Sequence, residues 1–403
     1  MASGSKSKRL IEPIPLTLGY ALSQLRPLHG LLPDRIRYRL PLSWNLEMLS
    51  TFLRHRRDRF YIDVATELDD PPSLAPRIST DPAYALSEAQ IAAFYRDGYL
   101  GPFTLLPRAQ MQEQARRLWA LWSAPSTTYP PGTYTYVGDT TASTRDDEMS
   151  NEEYVTRFLN ARDKHLQDRG LLELFAHPGI VDRIGQLLGP DLLLWRTQFF
   201  PKYAGMGGTG WHQASSYLNE TMRVATLSPP DLRALFQLTV WVAIDDSTLD
   251  NGCLRVVRGT HRRILPMALD DYDPITHGDN KSDRFGTMVM RPHDPLPEDD
   301  VVDLPMEAGQ FVIFSERVMH GSRPNITPGT DRLAVNGRFI TPQTKIHNPW
   351  VLGDGGLDIA YGRIKGLRLD RWRAVLVRGE DPHGRTPGRI VPLDELRSQL
   401  DDV

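Results

Sequence analysis

Residues Phe199–Asn219 read FFPKYAGMGGTGWHQASSYLN. An aromatic, strand-like run ends at Pro201. A glycine-rich turn follows, with Gly205, Gly207, Gly208 and Gly210, and then Trp211-His212-Gln213-Ala214. A second histidine, His320, has a similar setting. It comes after the apolar run Phe311–Phe314 and opens His320-Gly321-Ser322, and Arg332 follows in RLAVNGRF. A lone histidine beside a strand is ordinarily a packing residue. Two histidines on separate strands, with an arginine after the second, fit a non-haem iron site that also holds an organic acid. On a strand, residues i and i+2 share a face, so a carboxylate two places after the first histidine would reach the same metal. That position here is Ala214, which offers only a methyl group.

Outward from this stretch, LLLWRTQFF, LFQLTVWVAI, CLRVV, GTMVM, QFVIF and RLAVNGRFI are short runs rich in β-branched and aromatic residues. Gly, Pro, Asp and Asn separate them, the pattern of a sandwich or closed barrel. Pro266–Asp303 is acidic and turn-rich and reads as a large loop. Asn251-Gly252 reads as a turn. Residues 342–403 are charged, with a short helix expected near Asp394–Leu400.

Upstream the pattern is helical. Ser87 and Gln90 form a capping box, Leu86 and Ile91 stand at the staple positions, and Gly98 ends the helix. A second helix is expected over Pro107–Trp122 with proline near its first position, a third over Glu152–Leu166 and a fourth over Leu171–Leu188. Residues 124–151 have turn chemistry and no period, which suggests a lid or disorder. Residues 65–85 read as a linker. In residues 1–60, eleven lysines and arginines oppose four acids. A helix over Asn45–Phe60 would present Leu46, Leu49, Leu53 and Phe60 on one face. This segment reads as an arm packed on the main domain, or as a docking surface for an acidic partner.

The chain has 403 residues and a net charge of −3. That length buries a sizeable core, and the charge argues against general nucleic-acid binding. Cys253 is the only cysteine, so no intrachain disulfide forms, which favours a reducing compartment such as the cytoplasm. No apolar run approaches the ~20 residues a membrane span needs. The first residues lack the apolar stretch of a secretory signal.

Across residues 86–342 the sequence resembles the phytanoyl-CoA dioxygenase superfamily of iron(II)/2-oxoglutarate oxygenases. The resemblance rests on SEAQIAAFYRDGYLGPF, LLLWRTQFFPK, GGTGWHQAS, LTVWVAIDDSTLDNGCLRVVRGTHR and MHGSRPN. Ala in WHQA, where the usual site has a carboxylate, resembles the chlorinating branch, the non-haem iron halogenases. The resemblance implies a double-stranded β-helix, or jelly roll, over residues 86–342. Residues 1–85 would be a basic extension with its linker, and 343–403 an extension packed on the core. It implies His212 and His320 as metal ligands, with chloride filling the coordination position that Ala214 leaves open. Arg332 would pair with the distal carboxylate of 2-oxoglutarate, with Thr209 and Trp241 around that co-substrate. Asn219, Thr239 and Arg338 would line the halide pocket, and Tyr217 would form an aromatic wall.

The expected reaction is chlorination of an unactivated aliphatic carbon by a radical route, using iron(II), 2-oxoglutarate, chloride and O2. The substrate would be a small biosynthetic intermediate, free or tethered to a carrier protein, with no nucleic-acid or membrane partner. Two rival readings keep the fold. In one, a hydroxylase completes its iron shell with a remote carboxylate or with water, Glu220 and Glu316 being the acids nearest in sequence to the two histidines. In the other, a degenerate site serves only for binding.

Overall fold

A computed structural model describes residues 13–69, 78–136, 151–213, 225–271, 284–285, 288–359 and 364–401. Two sheets form its centre, antiparallel except for one parallel pair at the edge of the larger. The larger contains β1 (Tyr99–Thr104), β2 (Leu192–Phe199), β4 (Gln237–Ala243), β9 (Gln310–Phe314), β11 (Ala334–Ile340), β12 (Ala374–Arg378) and β13 (Ile390–Pro392). Their order is β1–β9–β4–β11–β2–β12–β13. The smaller contains β3 (Thr209–His212), β5 (Leu254–Val257), β8 (Val301–Leu304) and β10 (Met319–Ser322), in the order β8–β5–β10–β3. A hairpin of β6 (Met267–Asp271) and β7 (Met288–Pro292) stands at one side.

Strand alternation explains why the sheets stack as a jelly roll. On β4, Leu238, Val240 and Val242 join one apolar cluster with helix residues such as Phe175 and Ile180. Trp241 and Ala243 point the other way, into a second cluster with Leu254 and Val256 of the small sheet. All seven residues of β4 are buried because both faces are covered.

The helices of eight or more described residues are α1 (Pro13–Gln24), α2 (Leu46–His55), α3 (Glu88–Asp97), α4 (Arg108–Ser123), α5 (Asn151–Asn160), α6 (Arg169–Ala176), α7 (Pro178–Leu188) and α8 (Leu393–Asp401). At α3 the Ser87–Gln90 capping box is present and Gly98 closes the helix at φ 85°. Proline precedes α4 as its N-cap residue, one place before the expected first turn.

Several expectations are corrected. The third helix stops at Asn160, because Asp163 takes a left-handed φ of 55° and its carboxylate receives the Thr197 N–H. The fourth is two helices, since Pro178 cannot donate to a preceding turn and starts a new one after His177. Pro266–Asp303 is no plain loop, for it carries β6, β7 and β8 up to Asp303. Residues 342–403 hold more than a helix, because β12 and β13 extend the larger sheet.

The N-terminal residues are part of the packing. Helix α2 buries Met48, Leu49 and Phe52, while Leu46 and Leu53 are exposed, so its apolar face is rotated from the expected one. Leu16, Trp44, Met48, Phe52 and Phe60 share a core with Val257, Met267 and Met319. Phe60 and Met267 exchange both backbone hydrogen bonds, at 2.9 and 2.8 Å. The supposed linker is tied down at Leu68, whose N–H donates to Arg262 O. Among the described residues, no helix is long and apolar enough to cross a membrane.

Candidate active site

The small sheet brings the two histidines together. Strands β3 and β10 pair antiparallel with His212 directly opposite His320, and the two rings lie 4.2 Å apart between centroids. Two glycines allow the strands this close. A Cβ on Gly321 would sit 2.6 Å from Thr209 O, and one on Gly208 would sit 2.6 Å from Ser322 O. The Thr209 N–H donates to Ser322 Oγ at 3.0 Å and fixes the start of β3. Gln213, next to His212 and on the opposite face, is buried. Its amide donates to the carbonyls of Thr260, Arg263 and Arg317 and accepts from the Leu265 N–H. This anchor locks the far end of the strand, and no local pattern around Gln213 announces it.

The histidines are set for a metal. His212 Nδ1 lies 2.8 Å from Gly210 O, and His320 Nδ1 lies 2.8 Å from Val318 O. A carbonyl oxygen only accepts, so each Nδ1 carries the proton and each Nε2 keeps its lone pair. Burial, then the neighbouring His212, holds the His320 pKa well below its ordinary value, so His320 is neutral at physiological pH. Among the described residues no group of three His, Cys, Asp or Glu side chains forms a metal cluster. Glu316 therefore does not join the pair. It is buried beyond β9, where Thr239 Oγ1 donates to it at 3.4 Å, and burial pushes its pKa up to about 8.

The histidines open into a cavity of about 520 Å³, within the range of small-molecule sites. Thr209, Trp241, Arg332 and Arg338 line it, as does Asn336. Arg332 is 2% exposed. Its guanidinium donates to Phe200 O at 3.2 Å and to Gly252 O, and lies 5.3 Å from the Trp241 ring centre. Its Nε finds no partner among the described residues. Burial lowers its pKa to about 10, which leaves it charged. A buried cation bonded only to neutral carbonyls fits a carboxylate ligand. The donor set thus fits iron(II) at the histidines and 2-oxoglutarate reaching Arg332.

Arg338 stands opposite Thr239 across β11 and β4, and its charge acts on both Glu316 and His320. Thr239 is buried but does not line the cavity, because its hydroxyl turns to Glu316. Ala214, Tyr217, Asn219 and Glu220 lie outside the described residues. Asn336 was not anticipated, although RLAVNGRF alternates so that Ala334, Asn336 and Arg338 share one face. Its Oδ1 is buried without a partner among the described residues.

A family model described as Phytanoyl-CoA dioxygenase (PhyH) matches residues 94–334, more than half of the chain. The chain belongs to the phytanoyl-CoA dioxygenase family. It is an enzyme of the non-haem iron, 2-oxoglutarate-dependent oxygenase class. Human peroxisomal phytanoyl-CoA dioxygenase is 27% identical over 253 residues, covering 59% of this chain and 69% of that protein. The rat enzyme is 29% identical, over 40% of this chain and 44% of its own length. Ectoine dioxygenase of Nocardia farcinica is 27% identical, over 45% of this chain and 59% of its own length. Matches to the rat and Nocardia proteins thus span about half of those proteins' lengths. Among solved structures, CytC3 with Fe(II) and alpha-ketoglutarate is 27% identical with a TM-score of 0.53, covering 76% of this chain and 94% of that one.

Proposed function

We propose that this family member is an iron(II)/2-oxoglutarate-dependent halogenase that chlorinates an unactivated aliphatic carbon. The observation that carries the reading is the pairing of His212 with His320 without a third metal-ligating side chain among the described residues, with Ala214 where a carboxylate would stand. Two neutral imidazoles cancel none of a divalent metal's charge. A chelating α-keto carboxylate cancels one unit. Ala214 supplies neither the remaining charge nor a ligand, and chloride supplies both.

Bound iron with 2-oxoglutarate and oxygen supplies the oxidant that removes a hydrogen atom from an unreactive carbon. The chain's residues do the rest. His212 and His320 hold the metal through their Nε2 atoms, with tautomers fixed by Gly210 O and Val318 O. Arg332 orients 2-oxoglutarate by its distal carboxylate. Trp241 and Phe314 line the site and keep water out. Arg338 adds positive charge on the side of the halide. The fixed tautomers and the buried guanidinium also argue against a degenerate binding module, which needs neither.

Ala214→Asp tests the reading. The new carboxylate takes the chloride position and its charge, so chlorinated product disappears while iron binding persists. Undiminished chlorination in this variant contradicts the proposal. Oxygenation without chloride in the unsubstituted enzyme favours the hydroxylase instead.

A further inference from the structure

The cavity continues past the iron and 2-oxoglutarate residues to a wall built by an irregularity in β2. Along β11, Arg338 pairs with Arg196 and Phe339 pairs with Leu194. Trp195 is left over, the extra residue of a β-bulge. Before the bulge, Leu193 and Trp195 face one apolar cluster, and after it Arg196 and Gln198 line the cavity. The bulge therefore places two successive residues, Trp195 and Arg196, on the same wall, and bulges beside active sites re-aim side chains in this way. The Trp372 indole donates to Trp195 O at 3.3 Å and holds the bulge in place.

Trp195 is 1% exposed, and its Nε1 is buried with no hydrogen-bond partner among the described residues. Leaving such a donor unsatisfied is costly, because it has lost water without gaining a partner. The Arg196 guanidinium lies 4.7 Å from the Trp195 ring centre, and Asp163 Oδ2 stands 3.9 Å from its Nε. An indole N–H and a guanidinium only donate. Asp358 is the one carboxylate among the described lining residues, against five arginines and lysines. Phe158, Leu357 and Ile359 supply apolar surface to the same cavity.

We propose that Trp195 and Arg196 form the substrate's anchoring subsite, and that it takes an anionic oxygen group, a carboxylate or phosphate, on an otherwise apolar molecule. This rests on the proposed function only in that the substrate enters this cavity. It makes no use of chloride, so the two fail separately.

The test is binding rather than turnover. The enzyme is loaded anaerobically with iron(II), 2-oxoglutarate and chloride, which fills the Arg332 site. Thermal stabilisation is then measured with a panel of straight-chain carboxylates of about four to twelve carbons, the matching alkyl phosphates and the matching primary amides. Acids or phosphates of some chain length should bind at least about tenfold more tightly than their amides. A preference for one anion over the other names the group. In Trp195→Phe and in Arg196→Gln that preference should shrink about tenfold while amide binding holds. The second variant serves if the first does not fold. No anion preference anywhere in the panel overturns the proposal, and so does a preference that survives both substitutions.

Discussion

Arg332 lines the cavity with its charge intact and, among the described residues, only backbone carbonyls as hydrogen-bond acceptors. A charge-assisted hydrogen bond contributes ~1.5–3 kcal/mol, roughly ten- to a hundred-fold in binding. Arg332→Ala should therefore weaken 2-oxoglutarate by that factor and leave iron affinity almost unchanged. Anaerobic titration of the iron–2-oxoglutarate charge-transfer band measures it, and an unchanged dissociation constant would assign the carboxylate to another cation. Glu316 makes a second prediction. Its folded pKa, about 8, lies above the unfolded value, so the stability it contributes is complete below the ordinary carboxylate range and is lost as pH rises towards 8. The buried histidines His165 and His261 act with the opposite dependence on pH. Burial lowers both to about 4, so their contribution is complete above ~6.5 and lost as pH falls. Between pH 6.5 and 8 the slope therefore belongs to Glu316 among these three, at most about 1.4 kcal/mol per pH unit. Thermal unfolding of the metal-free protein should show stability falling over that window, and Glu316→Gln should flatten it. An equal slope in both proteins would remove Glu316 as its source.

At the scale of the strands, the site depends on how closely β3 approaches β10. Gly321 leaves room for Thr209 O, and a methyl group there meets backbone that cannot rotate away. Gly321→Ala should push the strands apart, separate His212 from His320 and lower iron(II) affinity at least about tenfold, or ~1.4 kcal/mol. Calorimetric titration of the metal-free protein with iron(II) under anaerobic conditions reports the change. Retained affinity would mean that the pair tolerates the wider spacing. This explains which parts of the site were legible in sequence. His212, His320 and Arg332 stand out by their glycine-rich and strand-like settings, and Arg338 through the family resemblance. The alternation of RLAVNGRF already put Asn336 on the face of Arg338, whereas Trp195 does not stand out, since a bulge decides where it faces and leaves no local mark. Gln213 was hidden for the same reason: its partners at Thr260, Arg263, Leu265 and Arg317 are distant in sequence. Helix breaks at Asp163 and Pro178 were missed because apolar spacing continues across them.

Over the whole molecule, the chain outside residues 94–334 is tied into the family domain rather than appended to it. Trp44, Phe52 and Phe60 pack with Met319, the neighbour of His320, and β12 pairs with β2, the strand that carries Trp195 and Arg196. Segments from both ends reach the cavity wall, with Ile62 from one side and Leu357 to Ile359 from the other. The order of helices first and jelly roll second was legible from the change in period at Leu192. The seat of the N-terminal segment was not, because its burial depends on the β6–β7 hairpin that covers it. All of this frames the proposed site, in which two histidines, and no described carboxylate, would hold the metal. The most direct measurement of that claim is the mass of the product formed by the iron- and 2-oxoglutarate-loaded enzyme with chloride present and with chloride removed. A product heavier than substrate by one chlorine in place of one hydrogen, formed only when chloride is supplied, is the predicted result. A product heavier by one oxygen atom, formed equally well in both conditions, would contradict it.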